Sequence, residues 1–213
     1  MMALLASSIL LASQPVAAAP ELLSGQSAIA EGATPREFVE ACRRMIPEDV
    51  ELSGRIVLRN RKGIALAEHE YVLTRNKGAM SLKVDGVGME KPASITEGTP
   101  QTIMGTDVTW SDLTLEYLWW DDFAFDAERE AESVHGQMCT VVIMRNGERA
   151  VRVWIDRKTG AMMQAEELKN GKSVRRLWGT RIKKFGERWA PKVMEVETFG
   201  SGHRTKIVVE EIK

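Results

Sequence analysis

"HGQMCTVVIMRNGERAVRVWIDRKTGAMMQAEELKNGKSVRRLW", residues 135–178, is the stretch that decides the fold class. Strand-like runs at 138–145, 149–156 and 161–169, and another starting at 173, are separated by "NGE", "DRKTG" and "NGK". Asn146-Gly147 and Asn170-Gly171 are strong hairpin signals. The two-residue turns that match the twist of paired strands need positive φ, which Asn and Gly tolerate. Connections this short make successive strands pair antiparallel. Strand alternation points Val151, Val153 and Ile155 one way and Arg152, Trp154 and Asp156 the other. One side of the sheet is therefore apolar and needs a cover.

The same rhythm extends in both directions. "ELSGRIVLRNRKGIALAEHEYVLTRNKGAMSLKVDG", residues 51–86, reads as three strands with turns at Asn60 to Gly63 and Asn76 to Gly78. Further runs cover 128–134, 173–184, 189–198 and 203–212, with turns at "HGQ", "FGE" and "GSG". Residues 86–105 are rich in Gly, Pro, Thr and Ser and predict a long connection with little regular structure. The sum is mainly β (α+β): an antiparallel meander of about ten strands. A sheet that long must curl or close, so a strongly curved sheet or incomplete β-barrel is expected.

The cover is legible upstream. In "EGATPREFVEACRRMIPEDV" Thr34 is an N-cap, Pro35 takes the first helical position and Glu37 completes a capping box. Phe38, Ala41, Cys42 and Met45 then recur at helical spacing, and Pro47 ends a helix predicted from Thr34 to Ile46. A second capping-box pattern, Thr109 with Asp112, opens "TWSDLTLEYLWW". It predicts a short helix with Leu113, Tyr117 and Trp120 on one face, against a rival strand reading. As a helix it sets the adjacent Trp119 and Trp120 about 100° apart, one deep and one at the rim of the sheet. The two helices are expected to act as a lid over an apolar cavity.

Catalysis finds little support. Asp121 and Asp122 follow the tryptophans, but neighbouring loop carboxylates seldom converge on one substrate, and they read as solvated. His69, His135 and His203 lie in different strands or turns, with no nucleophile or metal-ligand spacing around them. The chain is read as a non-enzyme with no cofactor and no metal. Cys42 and Cys139 are two buried thiols or a bridge; the sequence leaves both open. The six tryptophans (110, 119, 120, 154, 178 and 189) are spread over several elements and read as core and cavity packing.

With 44% apolar and 28% charged residues over 213 positions, the chain suits one soluble globular domain, placed at 34–213. A net charge of -1 gives no reason to expect nucleic acid. Lys172, Arg175, Arg176, Arg181, Lys183 and Lys184 read as a solvated strand face. "MMALLASSILLASQPVAAAP" is uncharged and too short to span a bilayer. It reads as a signal peptide, 1–18, cleaved after Ala18 or Ala19, although no Lys or Arg precedes the apolar run. Residues 19–33 are then a linker, the location is the periplasm, and no transmembrane helix is expected.

Three stretches carry a resemblance. "GTDVTWSDLTLEYLWW", the hairpins of 135–178 with their "VWIDRKTG" turn, and "FGERWAPKVMEVETFGSGHRTKIVVEEI" together resemble the outer-membrane lipoprotein-sorting proteins, the LolA-like group of the LolA/LolB superfamily. These are turns and core positions, and they assign no single residue a role. The resemblance implies an incomplete antiparallel barrel whose helices cover an apolar cavity, and a carrier that takes up lipoprotein acyl chains or other lipid in the periplasm. The expected lining is Phe38, Ile56, Leu58, Tyr71, Leu73, Leu113, Tyr117, Trp120, Val151 and Val153, with the side of each strand exposed to a one-residue slip. The alternative is an envelope sensor or protein-interaction module without cargo. A monomer is expected in either case.

Overall fold

A computed structural model describes residues 29–86, 93–95, 102–186 and 188–213. The expected signal peptide, both cleavage points, most of the linker and most of the 86–105 connection lie outside the described residues. Helix α1 spans Pro35–Arg44 and helix α2 spans Trp110–Thr114. The strands are β1 Val50–Asn60, β2 Ala65–Asn76, β3 Ala79–Gly86, β4 Ala93–Ile95, β5 Asp122–Phe125, β6 Ala131–Val134, β7 Gln137–Asn146, β8 Arg149–Asp156, β9 Met162–Lys169, β10 Lys172–Phe185, β11 Arg188–Thr198 and β12 His203–Ile212.

All twelve belong to one antiparallel sheet, in the order β4-β3-β2-β1-β12-β11-β10-β9-β8-β7-β5. β5 and β6 share one edge of β7: β5 pairs with Val142–Arg145 and β6 with Gln137–Thr140. β4 and β5 do not meet, so the sheet is open. Two strands exceed the sequence reading. β4 lies inside the expected irregular connection, and β5 directly follows the tryptophan pair, where its exposed aspartate hides a four-residue alternation. β6 is also shorter than 128–134, because Asp126 turns the chain first: its Oδ1 accepts from the Glu128 N–H at 2.9 Å.

The hairpin turns follow the local chemistry read from the sequence. Asn170 and Gly171 sit at φ +52° and +74° between paired Lys169 and Lys172, both central residues in the left-handed region. α1 is capped as the sequence predicts. The Thr34 N–H donates to Glu37 Oε2 at 2.7 Å, and the Glu37 N–H donates back to Thr34 Oγ1 at 3.4 Å. It ends at Arg44 rather than Ile46, with Met45 as C-cap.

β8 shows how the sheet is loaded. Val151, Val153 and Ile155 pack with Phe38, Val39 and Cys42 of α1. The opposite face is not bare: Arg152, Trp154 and Asp156 are buried as well. Trp154 packs with Val134, Cys139 and Val141. The Arg152 guanidinium pairs with Asp126, and its Nη1 lies 3.7 Å from Glu166 Oε2. The second face is buried with its charges because an ion pair lets charged strand residues leave water.

α1 lies close on the β8–β9 turn. Gly160 has φ +77°, and a Cβ there would stand 2.9 Å from Ala41 Cβ. Gly171→Ala meets no neighbour within 4 Å and carries only the backbone penalty, about 1 kcal/mol. Gly160→Ala adds a steric clash and is expected to cost roughly 1–3 kcal/mol more in urea unfolding. Equal losses for the two variants would contradict the close seat of α1.

Candidate functional site

The inner side of the curved sheet is filled by α1 and by one further stretch of chain. Residues 102–120 run from a 3-10 turn at Ile103–Gly105 through α2 to a second 3-10 turn at Glu116–Trp119. The predicted continuous helix does not form. Leu115 takes the left-handed conformation (φ +54°, ψ +32°) and breaks it after one turn. The break sends the two halves to different places. Ile103, Val108, Trp110 and Leu113 join Ile56, Tyr71, Leu73, Leu82, Val84, Leu177, Val196 and Ile207 in one apolar cluster. Tyr117, Leu118 and Trp120 join Phe38, Val39, Cys42, Val142, Met144, Val151 and Val153 in another. Leu115 and Met162 pack against both.

The ten residues expected to line a cavity are placed accordingly. Phe38, Tyr117, Trp120, Val151 and Val153 are buried in the α1 cluster. Ile56, Tyr71, Leu73 and Leu113 are buried in the other. Leu58 is half-buried and belongs to neither, next to a register shift at Leu58/Arg59 that re-aims the strand end. Leu113 and Tyr117, predicted to share a helical face, sit in separate clusters because of the break at Leu115. The cavity between α2 and β8–β10, touched by Tyr117, Val151, Ala165 and Leu177, measures about 30 Å³. That is room for about one water, roughly a tenth of an ordinary ligand pocket.

Polar contacts fix the filling segment. Asp112 accepts from the Thr109 N–H at 2.7 Å and from Thr109 Oγ1 at 2.9 Å. Its carboxylate also pairs with Arg175 of β10, whose side chain is 12% exposed. Burial opposes the Arg175 charge, but Asp112 and Glu167 more than offset it and raise its pKa. Arg175 Nη2 donates to the Asp107 carbonyl at 2.8 Å. Asp107, fully buried, accepts from Thr205 Oγ1 at 3.0 Å and faces His203 Nδ1 at 2.9 Å. At the other end Arg149 Nη2 donates to Ser111 Oγ at 2.6 Å and to Glu116 Oε1 at 2.7 Å. Arg43 of α1 donates to the Leu118 and Trp120 carbonyls at 2.5 and 3.1 Å.

The tryptophan pair divides as expected, one deep and one at the rim. Trp120 is buried edge-on to Tyr117, ring centroids 6.4 Å apart, with Arg149 4.9 Å above it. Trp119 is half-buried and carries the Arg75 guanidinium at 4.0 Å. Asp121 and Asp122 are exposed, and Asp122 opens β5. Arg175 is a correction: the run containing it was read as solvated, yet its guanidinium is buried against α2. Lys172, Arg181 and Lys183 of that run are exposed. Sequence reasoning missed Arg43, Arg149, Arg175 and Asp107. The single local signal was the Thr109–Asp112 cap.

Tyr71 and Tyr117 hold their hydroxyls above the ordinary range, burial being the main cause. Cys42 and Cys139 are free and buried. Burial pushes the Cys42 thiol up to about 12 and the Cys139 thiol to about 11. Among the described residues no cluster of His, Cys, Asp and Glu has the arrangement to hold a metal ion. No described helix is long and apolar enough to cross a membrane.

An open, curved antiparallel sheet with two short helices packed on its inner side is a LolA-like fold. Solved structures with this architecture include a DUF1329 family protein from Desulfovibrio piger (TM-score 0.62, 14% identity, 85% of this chain and 93% of that one). A LolA superfamily protein from Nitrosomonas europaea aligns with TM-score 0.62 at 12% identity over 85% and 93%. An outer membrane lipoprotein-sorting protein domain from Vibrio parahaemolyticus aligns with TM-score 0.57 at 13% identity over 84% and 89%. At these identities the likeness is one of fold. The chain belongs to a family described as "Uncharacterized protein", whose model matches residues 88–213, more than half of its length. No curated protein matches it.

Two outcomes are expected from this geometry. Arg175→Met strands Asp112 in the interior and should cost about 3–5 kcal/mol, while adding Asp112→Asn should recover part of that loss in a double-mutant cycle by urea unfolding. Additive losses would show that the pair is not coupled. The thiols should resist alkylation in the native state and react fully in denaturant. Between the unfolded value of 9.0 and the folded values, the unfolded chain releases thiol protons that the folded chain keeps, so stability falls as pH rises from 9. Constant stability from pH 9 to 11 would contradict the burial.

Proposed function

We propose that this protein is an exported, periplasmic binder or carrier of acyl chains, with lipid or the acyl groups of a lipoprotein as cargo. One observation carries the reading. The apolar inner side of the sheet is covered by a segment, 102–120, that holds on through side chains and caps and pairs with no strand. Such a segment is displaced without breaking the β ladder. Phe38, Ile56, Leu58, Tyr71, Leu73, Val151 and Val153 then form the surface that receives a chain, and Leu113, Tyr117 and Trp120 of the displaced segment line it from the opposite side. The LolA-like fold supports this use of the interior, and the reading requires no cofactor, metal or catalytic step.

Magnitudes set a threshold. Each buried methylene contributes about 0.8 kcal/mol. Releasing one buried ion pair costs about 3–5 kcal/mol, and the other polar contacts add to it. Roughly ten buried methylenes offset that cost, whereas about four do not. Uptake of fluorescent acyl probes by the extracted full chain should therefore rise steeply with chain length. Arg149→Met, which loosens the Ser111–Glu116 contact, should speed uptake several-fold. No uptake at any chain length by folded, extracted protein would refute the carrier reading.

The closed interior favours a second reading. With about 30 Å³ free beside α2, the molecule as folded offers no vacant lipid pocket there. An envelope sensor or protein-interaction module on this fold needs none. Native mass spectrometry before and after organic extraction separates the two: a released lipid or acylated peptide supports the carrier, and a clean mass with no probe uptake supports the module.

A further inference from the structure

A second concavity lies away from the apolar interior. It occupies about 350 Å³ between the tips of the β1–β2 and β11–β12 hairpins, lined by Arg59, Asn60, Arg61 and Gly63 on one side and by Glu195, Glu197, Gly200, Gly202, His203, Arg204 and Lys206 on the other. Thr205 and Ile207 turn to the buried side, so strand alternation puts Arg204 and Lys206 on the opposite face. The cleft is therefore separate from the proposed acyl surface.

Its charges do not cancel. Glu195 is held by Arg204 at 3.1 Å and Lys206 at 3.2 Å. Glu197 is held by Arg176 at 3.2 Å and Arg204 at 3.4 Å. Both carboxylates are thus satisfied without Arg59 or Arg61. Among the described residues Arg59 donates only to the Gly63 carbonyl, at 3.1 Å, and its Nε is buried with no partner. Arg61 has no carboxylate partner among the described residues, and its Nε reaches within 3.9 Å of where a Cβ on Gly202 would stand. Gly63 and Gly200 leave open space at the mouth. His203 completes the wall, its ring oriented by Asp107 through Nδ1.

Guanidinium groups without a carboxylate partner among the described residues, in a cleft of ligand size, are suited to an oxyanion that accepts several N–H donors at once. From this geometry we infer that the cleft binds a phosphate ester, held chiefly by Arg59 and Arg61. The phosphate belongs to a free small molecule or to a lipid headgroup, and the volume admits the phosphate with its first substituent. This site does not depend on the acyl-binding reading.

The test uses the full chain with glycerol phosphate in calorimetry, and with vesicles of phosphatidylglycerol or phosphatidylcholine in flotation. Arg59→Gln with Arg61→Gln is the variant; neither residue holds a carboxylate, and an unchanged urea midpoint certifies its fold. Saturable binding of glycerol phosphate, weakened about tenfold or more in the variant, supports the site with a free ligand. Flotation with phosphatidylglycerol but not phosphatidylcholine, lost in the variant, supports it with a headgroup. On the unaltered protein, binding must also weaken as salt is raised. Absence of both interactions, equal binding by the variant, or salt-independent binding overturns the proposal.

Discussion

An open sheet with an apolar concave side cannot face water, and the structure rests on how that side is covered. A closed barrel would cover it with its own strands; this sheet does not close. α1 and residues 117–120 cover the β7–β9 end, and residues 103–113 cover the rest, because one left-handed residue, Leu115, splits the segment between two clusters. The hydrophobic term is non-directional and sets no register. Register comes from the polar contacts along the segment, where Asp112 meets Arg175 and Asp107 meets Thr205 and His203.

That division of labour bears on function. Apolar contacts supply most of the covering free energy, but an acyl chain supplies the same kind of contact and can replace them. The ion pairs and carbonyl contacts of Arg43, Arg149 and Arg175 have no counterpart in an acyl chain, so they set the cost of displacement. A filled interior and a lipid-binding role are then two states of one equilibrium, shifted by as much as the ligand's preference for the uncovered form. The cleft at the hairpin tips adds a connection, since His203 lines it and also touches Asp107 at the start of the covering segment.

Local rules made much of this legible. Hairpin dipeptides at 146–147 and 170–171 define the meander, capping boxes mark both helices, and alternation along β8 identifies the inner face. Long-range effects escaped. Leu115 is an ordinary helix former, and only the demand to fill two clusters explains its left-handed backbone. Arg175 sits in a run of exposed cations, and its burial depends on Asp112, 63 residues earlier. β5 is short and led by an aspartate, so its pairing with β7 decides its identity. Of the expected lining, Ile56, Tyr71, Leu73, Val151 and Val153 lie on regular strands and are buried, whereas Leu58 falls where a bulge ends the alternation.

Backbone hydrogen exchange across 110–120, with and without a long acyl chain bound, is the measurement that matters most. In the covered state the Leu115 N–H donates to Ser111 O at 2.9 Å, the Leu118 N–H to Leu115 O at 3.0 Å and the Trp120 N–H to Tyr117 O at 3.2 Å. If the segment gives way to cargo, these amides exchange faster in the bound protein while those of β7–β10 keep their protection. Unchanged or slower exchange at all three, with the chain demonstrably bound, would show that cargo does not enter by displacing this segment.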